Sequence, residues 1–310
     1  MKALYCRAFG PETDLTVEEI DTPVPAVGEV LVLVQAAGLN FPDLLCVRGE
    51  YQFKPPLPFV PGSEGAGVVT ALGADVTGVS VDDRVCFNAS SGAFAEEIAI
   101  PASAVTQIPD SMPFEQAAGL TVVYGTSYYA LKQRAGLQSG ETLLVLGAAG
   151  GVGLSAVELG AAMGARVIAA ASSDQKLAVA AEHGAEVGIN YAIEDLKNRI
   201  KEITEGAGAN VIYDPVGGEL AEAAFRGIAW EGRHLVIGFA SGPIPKLPLN
   251  LPLLKGAAVV GVFWGSWTKR EPEAHEQNMA ELFELFTEGT IQPHVSSTYS
   301  LDQFLDAFGE

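Results

Sequence analysis

The reading of the fold turns on residues 143–165, LLVLGAAGGVGLSAVELGAAMGA. An apolar run of strand character, Thr142–Gly147, ends in a glycine-rich turn, and a helical pattern over Val152–Met163 begins at once. Against the spacing G-x-G-x-x-G the match is Ala148-Ala149-Gly150-Gly151-Val152-Gly153, with alanine at the first glycine position. A backbone bare of side chains can approach a pyrophosphate closely, and the open N–H groups of a helix N-terminus meet the anion. Gly150 and Gly151 permit that approach, and Gly153 lets the helix pack on the strand. An ordinary glycine-rich turn would carry the same letters, so the surroundings decide.

The surroundings are βαβ units. Strand Ala165–Ala171, helix Asp174–His183, strand Glu186–Asn190, helix Ile193–Glu205, strand Asn210–Asp214, helix Glu219–Ala229, strand Arg233–Phe239 and strand Ala257–Trp264 follow in turn. Strands apolar throughout, alternating with helices, predict a doubly wound parallel sheet buried on both faces. An amphipathic helix, Glu271–Glu288, closes the series. An acidic residue at the end of the second strand would hold a ribose 2′-hydroxyl and favour NAD. Here that strand ends in Ser172-Ser173, with Asp174 late and Lys176 just beyond. Two hydroxyls and an ammonium suit a 2′-phosphate, so the reading is NADP(H), although Ser-Ser-Asp is also a good helix cap.

Working back toward the N-terminus, short strands replace this rhythm. Glu29–Gly38, Gly65–Leu72 and Asp83–Phe87 are strand candidates between turn residues, and residues 51–62, YQFKPPLPFVPG, form a stiff extended loop on the surface. The N-terminal third is expected to be an irregular, mainly antiparallel β domain.

Composition bounds the partners. Eighteen Lys+Arg against 38 Asp+Glu leave a net charge of −20, which argues against nucleic acid or an anionic membrane surface. A phosphate-bearing ligand must then be held by local geometry, as backbone dipoles allow. The two longest uncharged stretches hold 16 residues each, too short for a membrane span. Cys6, Cys46 and Cys86 have neither disulfide nor metal-cluster spacing, which suggests a reducing, cytoplasmic setting. The four histidines, 183, 234, 275 and 294, show no ligand spacing, and His183 and His234 read as structural or solvent-facing.

The order of motifs is specific: GLNFPD (38–43), RGEY (48–51), the proline loop, PGSEGAGVV (61–69), GAAGGVG (147–153), INY (189–191), YDPVGG (213–218) and VIGFASG (236–242). Over essentially the whole chain this resembles the medium-chain dehydrogenase/reductase superfamily, and within it the zinc-free quinone oxidoreductases related to zeta-crystallin. The resemblance implies an α/β protein with a GroES-like catalytic domain, 1–121 completed by about 266–310, and a Rossmann NADP(H)-binding domain, 122–265. It implies the cofactor NADPH in the cleft between them. It also implies a homodimer joined through the Ala257–Trp264 edge strand, and a glycine-bearing strand that relatives place after the last helix. Zinc alcohol dehydrogenases have Cys where this chain has Asn40 and His where it has Ser63, and no cysteine follows Cys86. The expectation is therefore no metal, and a substrate that is electrophilic by itself.

By resemblance, Asn40 sits beside the nicotinamide and Tyr51 lines the substrate cleft, where its hydroxyl can donate to a developing oxyanion. Tyr51 has an equally good reading as a half-buried loop tyrosine, and Asp43 reads as a residue that fixes the loop. Thr126 matches the threonine at the domain junction. Ala149, Gly150, Gly151, Val152 and Gly153 match the pyrophosphate turn, and Ser172, Ser173, Lys176 and Tyr191 the 2′-phosphate pocket. Gly217, Phe239, Phe263 and Trp264 lie where relatives border the ribose and nicotinamide; the aromatic pair could equally be packing. The implied activity is NADPH-dependent reduction of a quinone. The alternatives are an enoyl reductase acting on acrylate, enone or acyl-CoA substrates, for which Arg48 and Lys54 are the only cations in the loop, and a non-catalytic NADPH-binding, crystallin-like protein.

Overall fold

The computed structural model describes residues 1–309. They form two units, Met1–Val122 together with the chain from Gln292 onward, and Val123–Ile291. In the first, β1 (Lys2–Tyr5) pairs antiparallel with β2 (Thr16–Glu19). The main sheet contains β3 (Glu29–Gly38), β4 (Glu64–Leu72), β5 (Arg84–Asn88), β6 (Glu97–Pro101) and β7 (Val105–Gln107), ordered β6–β3–β4–β5–β7 with every neighbour antiparallel. Val30, Val32, Val69, Val85, Phe87, Ile98 and Ile100 bury its inner face. The proline segment does not stay on the surface throughout. Phe59 bridges to Cys6 and packs with Leu4, Leu15, Val47 and Phe94, because an aromatic ring gains more from this core than from water.

The expected strand-and-loop region contains a helix, Phe41–Arg48, that hydrophobic period does not reveal. Its ends explain it. Asn40 is the N-cap residue, proline stands in the first turn, the Asp43 carboxylate accepts from the Asn40 N–H (2.9 Å), and Gly49 ends it in the left-handed region.

The second unit carries β8 (Thr142–Leu146), β9 (Arg166–Ala171), β10 (Val187–Asn190), β11 (Ala209–Asp214), β12 (Ile228–Val236) and β13 (Ala258–Gly261). They lie in the order β10–β9–β8–β11–β12–β13, and every neighbour is parallel. This is the doubly wound order, and its switch point lies between β8 and β11, where ligands bind outside the carboxyl ends of the strands. Leu144, Leu146, Ile168, Ile189, Ile212, Phe225 and Ile228 form the core of one face. Each such side chain, fully buried, contributes roughly 1.5–3 kcal/mol.

Three expectations need correction. The fifth strand of this sheet, β12, is shifted toward the N-terminus: the Ile237 N–H makes the last ladder bond, to Asp214 O, and residues 237–239 leave it because the Val216 N–H that would make the next one goes to Asp214 Oδ1. The edge strand β13 stops at Gly261, and Phe263 and Trp264 open a helix, Trp264–Arg270, instead of ending a strand. The chain also returns to the first unit later than the expected 266. Helix Pro272–Thr287 buries Met279, Leu282 and Phe283 in the second unit and pairs Asn278 with Gln133 and Glu281 with Lys132, so the return begins at Gln292. Among the described residues no helix is long and apolar enough to cross a membrane, and Cys6, Cys46 and Cys86 are free.

Candidate active site

In the first unit the end of β3, the start of β4 and the cap of helix Phe41–Arg48 bring Asn40, Asp43, Ser63 and Glu64 together. The Asn40 amide nitrogen, a donor, takes no part in that cap and turns to a second carboxyl. This Nδ2 donates to Glu64 Oε1 (2.7 Å), and the Val122 N–H donates to Glu64 Oε2 (2.7 Å). Glu64 is fully buried, and burial pushes its carboxyl up to about 8 although both bonds favour the ionised form. Burial likewise raises Asp43 to about 6, against hydrogen bonds from the Asn40 backbone and Ser63 that lower it. At Gly38 a Cβ would stand 2.6 Å from Glu64 Oε1, so glycine is required for the carboxylate to lie there. Tyr51 hangs from the end of the same helix through its N–H to Leu45 O (3.2 Å) and is half-buried. Burial, then Cys46 and Asp43, raise its phenol, which therefore stays protonated as a donor at neutral pH.

In the second unit the glycines of the turn separate by their surroundings. A Cβ on Gly153 would sit 2.1 Å from Gly147 O, so that glycine serves helix–strand packing. A Cβ on Gly150 or Gly151 would meet nothing of this chain closer than 3.5 Å. Neither residue has a positive φ, so nothing inside the chain demands glycine at either. Both are exposed, and no side chain caps helix Gly151–Ala162. The turn is an open cradle with donor groups at its floor, which fits a dinucleotide pyrophosphate. Ala149 and Val152 complete it. Thr126 lies on helix Thr121–Tyr129, whose neighbouring Ser127 hydroxyl donates to Val152 O (3.0 Å) and bonds Tyr213 Oη (2.7 Å).

At the carboxyl end of β9, Ser172, Ser173, Lys176 and Tyr191 gather. Ser173 caps helix Asp174–Glu182, its Oγ accepting from the Lys176 N–H (3.3 Å), and the Tyr191 N–H donates to Ala171 O (3.1 Å). The carboxylate that could repel a phosphate is held aside, since Asp174 Oδ1 accepts from Asn190 Nδ2 (2.8 Å). Lys176 is exposed and makes no ion pair among the described residues.

After β11, Asp214 Oδ1 accepts from the N–H groups of Val216 (2.9 Å) and Gly217 (2.8 Å), while Oδ2 lies 3.0 Å from His234 Nε2. His234 is thus structural and not solvent-facing. Phe239 lies against Gly217, where a Cβ would meet its ring at 2.9 Å. Phe263 is exposed at a helix cap, but Trp264 is buried on Gly125 and edge-on to His275, the packing reading of that residue. Sequence reasoning missed Glu64 as a site residue, although the quoted PGSEGAGVV motif contains it, and missed Asp214 within YDPVGG.

Metal chemistry has a poor donor set here. Among the described residues no three His, Cys, Asp or Glu side chains group as metal ligands, and Asn40 offers an amide already turned to Glu64.

Comparisons with known proteins agree with this geometry. Residues 26–110 match the alcohol dehydrogenase GroES-like domain, and residues 151–284 the family described as zinc-binding dehydrogenase. The chain is 41% identical over 311 residues to a quinone oxidoreductase-like protein 2 homolog of Nematostella vectensis, covering 99% of this chain and 84% of the relative. It is 35% identical to a quinone oxidoreductase of Pseudomonas aeruginosa, covering 100% and 95%. Escherichia coli quinone oxidoreductase, solved with NADPH, superposes with a TM-score of 0.88 at 31% identity, covering 96% of this chain and 91% of that one. A GroES-like β unit, a doubly wound sheet with an open glycine turn, and this degree of likeness establish that the chain belongs to the medium-chain dehydrogenase/reductase superfamily, in its zinc-free quinone oxidoreductase family.

Proposed function

We propose that the protein is a zinc-independent NADPH:quinone reductase. It is an NADPH-dependent oxidoreductase of its family; the quinone and the zinc independence are the parts proposed. The observation that carries them is the Asn40–Glu64–Val122 arrangement. An amide and a hydroxyl, Asn40 and Ser63, stand at the two positions where a Lewis acid would need thiolate and imidazole, and the amide is turned to the buried Glu64. A substrate reduced there must accept hydride without metal polarisation, as a quinone or a conjugated alkene does.

When bound, the nicotinamide supplies the hydride. The chain's residues do the rest. The N–H groups at Gly151–Gly153 hold the pyrophosphate, and Ser172, Ser173, Lys176 and Tyr191 hold the 2′-phosphate. Asn40, its orientation fixed by Glu64, keeps a second N–H for the reacting end. Tyr51 donates to the developing quinol oxyanion. Arg48 bears on the acyl-CoA alternative. Its guanidinium is forked onto Glu12 (3.0–3.3 Å), leaving Lys54 as the one free cation among the two candidates for a large anionic thioester. We further propose that two copies join through β13, an edge strand on which Val259 is half exposed.

A steady-state panel tests the reading. With NADPH, a naphthoquinone should be turned over at least about tenfold faster than an enone or an acryloyl thioester. Enone or thioester rates far above the quinone rate would transfer the assignment to an enoyl reductase. Tight NADPH binding with no turnover of any of them would make it a non-catalytic binder.

A further inference from the structure

At the rim of the second unit opposite the glycine turn lies a groove of about 230 Å³, lined by Lys197, Lys201, Phe225, Arg226, Leu251, Leu254 and Lys255. Its position follows from the topology. All six strands are parallel, so their starts share one rim and their ends the other. Arg226 stands two residues before β12 and Lys255 three before β13, whereas the glycine turn follows the end of β8. The groove is therefore separate from the dinucleotide turn.

Its chemistry is unusual for this chain. Acidic residues outnumber basic ones by 38 to 18, so a lysine should find a carboxylate easily. Lys197, Lys201 and Lys255 make no ion pair among the described residues. On helix Leu196–Ile203 the carboxylates of Glu202 and of neighbouring Glu194 both go to Arg199, which leaves Lys197 and Lys201, one turn apart, facing each other's charge. Arg226 is neutralised by Glu222. Three lysines without an ion-pair partner thus line one groove together with Phe225, Leu251 and Leu254, its apolar floor. Lys201 and Lys255 also lie in the last turns of their helices, where a cation is favoured. That accounts for neither Lys197, in a first turn, nor the apolar floor.

We propose that this groove binds a small amphipathic anion, a carboxylate or phosphate on an apolar body the size of a short acyl chain or one aromatic ring. The volume lies below the ~300–1,000 Å³ of drug-sized sites, which sets the size of the ligand. The anion supplies the charge that the chain withholds, and the floor supplies the apolar contact that inorganic ions cannot use.

Titration calorimetry on the full chain, with and without saturating NADPH, tests it. The probes are octanoate, phenyl phosphate, octanol and inorganic phosphate. Octanoate or phenyl phosphate should bind once per chain, with octanol and inorganic phosphate at least about tenfold weaker, and the better of the two head groups names the source of the anion. Lys201→Gln and Lys255→Gln, exposed or half-buried changes that leave the thermal midpoint in place, should each weaken that binding by about tenfold or more and leave NADPH affinity untouched. No binding of either anion overturns the proposal, as does undiminished binding by both variants. Octanol equal to octanoate, or competition by NADPH, overturns it too. Variants that change the sedimentation coefficient but not anion binding would make the groove an interface between copies instead. Quinone turnover does not enter any of these readouts, so this proposal and the functional one fail separately.

Discussion

Glu64 sets two forces against each other in one side chain. Two N–H donors favour its charge and complete burial opposes it; burial prevails, moving the group from its ordinary 4.5 to about 8. The folded protein therefore binds this proton more tightly than the unfolded chain. Its contribution to stability is fully present below about pH 4.5 and is lost as pH rises through about 8. Glu64→Gln removes that titration while keeping the shape. Urea midpoints at pH 5, 7 and 8.5 should show the parent losing stability relative to the variant across this window, at up to about 1.4 kcal/mol per pH unit. A difference that stays flat would mean that the carboxyl is already ionised at pH 5, the two N–H bonds having prevailed. Residue roles of this kind are poorly legible in the sequence. Glu64 and Asp214 lie inside PGSEGAGVV and YDPVGG, but a hydrogen bond to a residue twenty or more positions away leaves no periodic trace.

Among elements, the glycine turn holds one glycine that packing requires, Gly153, and one that it does not, Gly150, proposed to serve the ligand, and two substitutions separate them. Gly153→Ala drives a Cβ into Gly147 O at 2.1 Å and should cost about 1–3 kcal/mol of stability, read as a lowered thermal midpoint of the apoprotein. Gly150→Ala meets only ordinary contact and should leave that midpoint unchanged while weakening NADPH binding about tenfold, roughly 1.4 kcal/mol, by fluorescence titration. The next strand–helix junction is tested by Lys176→Ala, which should erase most of the preference for NADPH over NADH. Equal affinities in the parent protein would refute the pocket assignment. Elements were legible where burial made them so. Strands β8, β9 and β11 are buried and mostly apolar because both faces are covered, and their runs stand out in the sequence. Helix Thr121–Tyr129 is written in Thr, Val and Tyr, strand-favouring residues, and is buried around most of its surface, so neither propensity nor a polar face announces it. Trp264 misled for a similar reason: an aromatic pair after an apolar run reads as a strand end until its packing on Gly125 is seen.

Across the whole molecule, a net charge of −20 is compatible with a polyanionic cofactor on the proposed site, where backbone dipoles and the exposed Lys176 do the binding without a basic face. The apolar edge at β13 belongs to this scale as well. Val259→Lys places a charge on the strand proposed to join two copies, and should move the protein from dimer to monomer in sedimentation velocity; an unchanged coefficient would place the interface elsewhere. Hydride transfer to a quinone without a Lewis acid comes down to one rate. NADPH-dependent naphthoquinone reduction should be measured on protein dialysed exhaustively against a strong chelator, with zinc content determined on the same sample. An undiminished rate is expected, with less than stoichiometric zinc before and after dialysis. One tightly held zinc per chain, with activity lost on its removal and restored on its return, would contradict it.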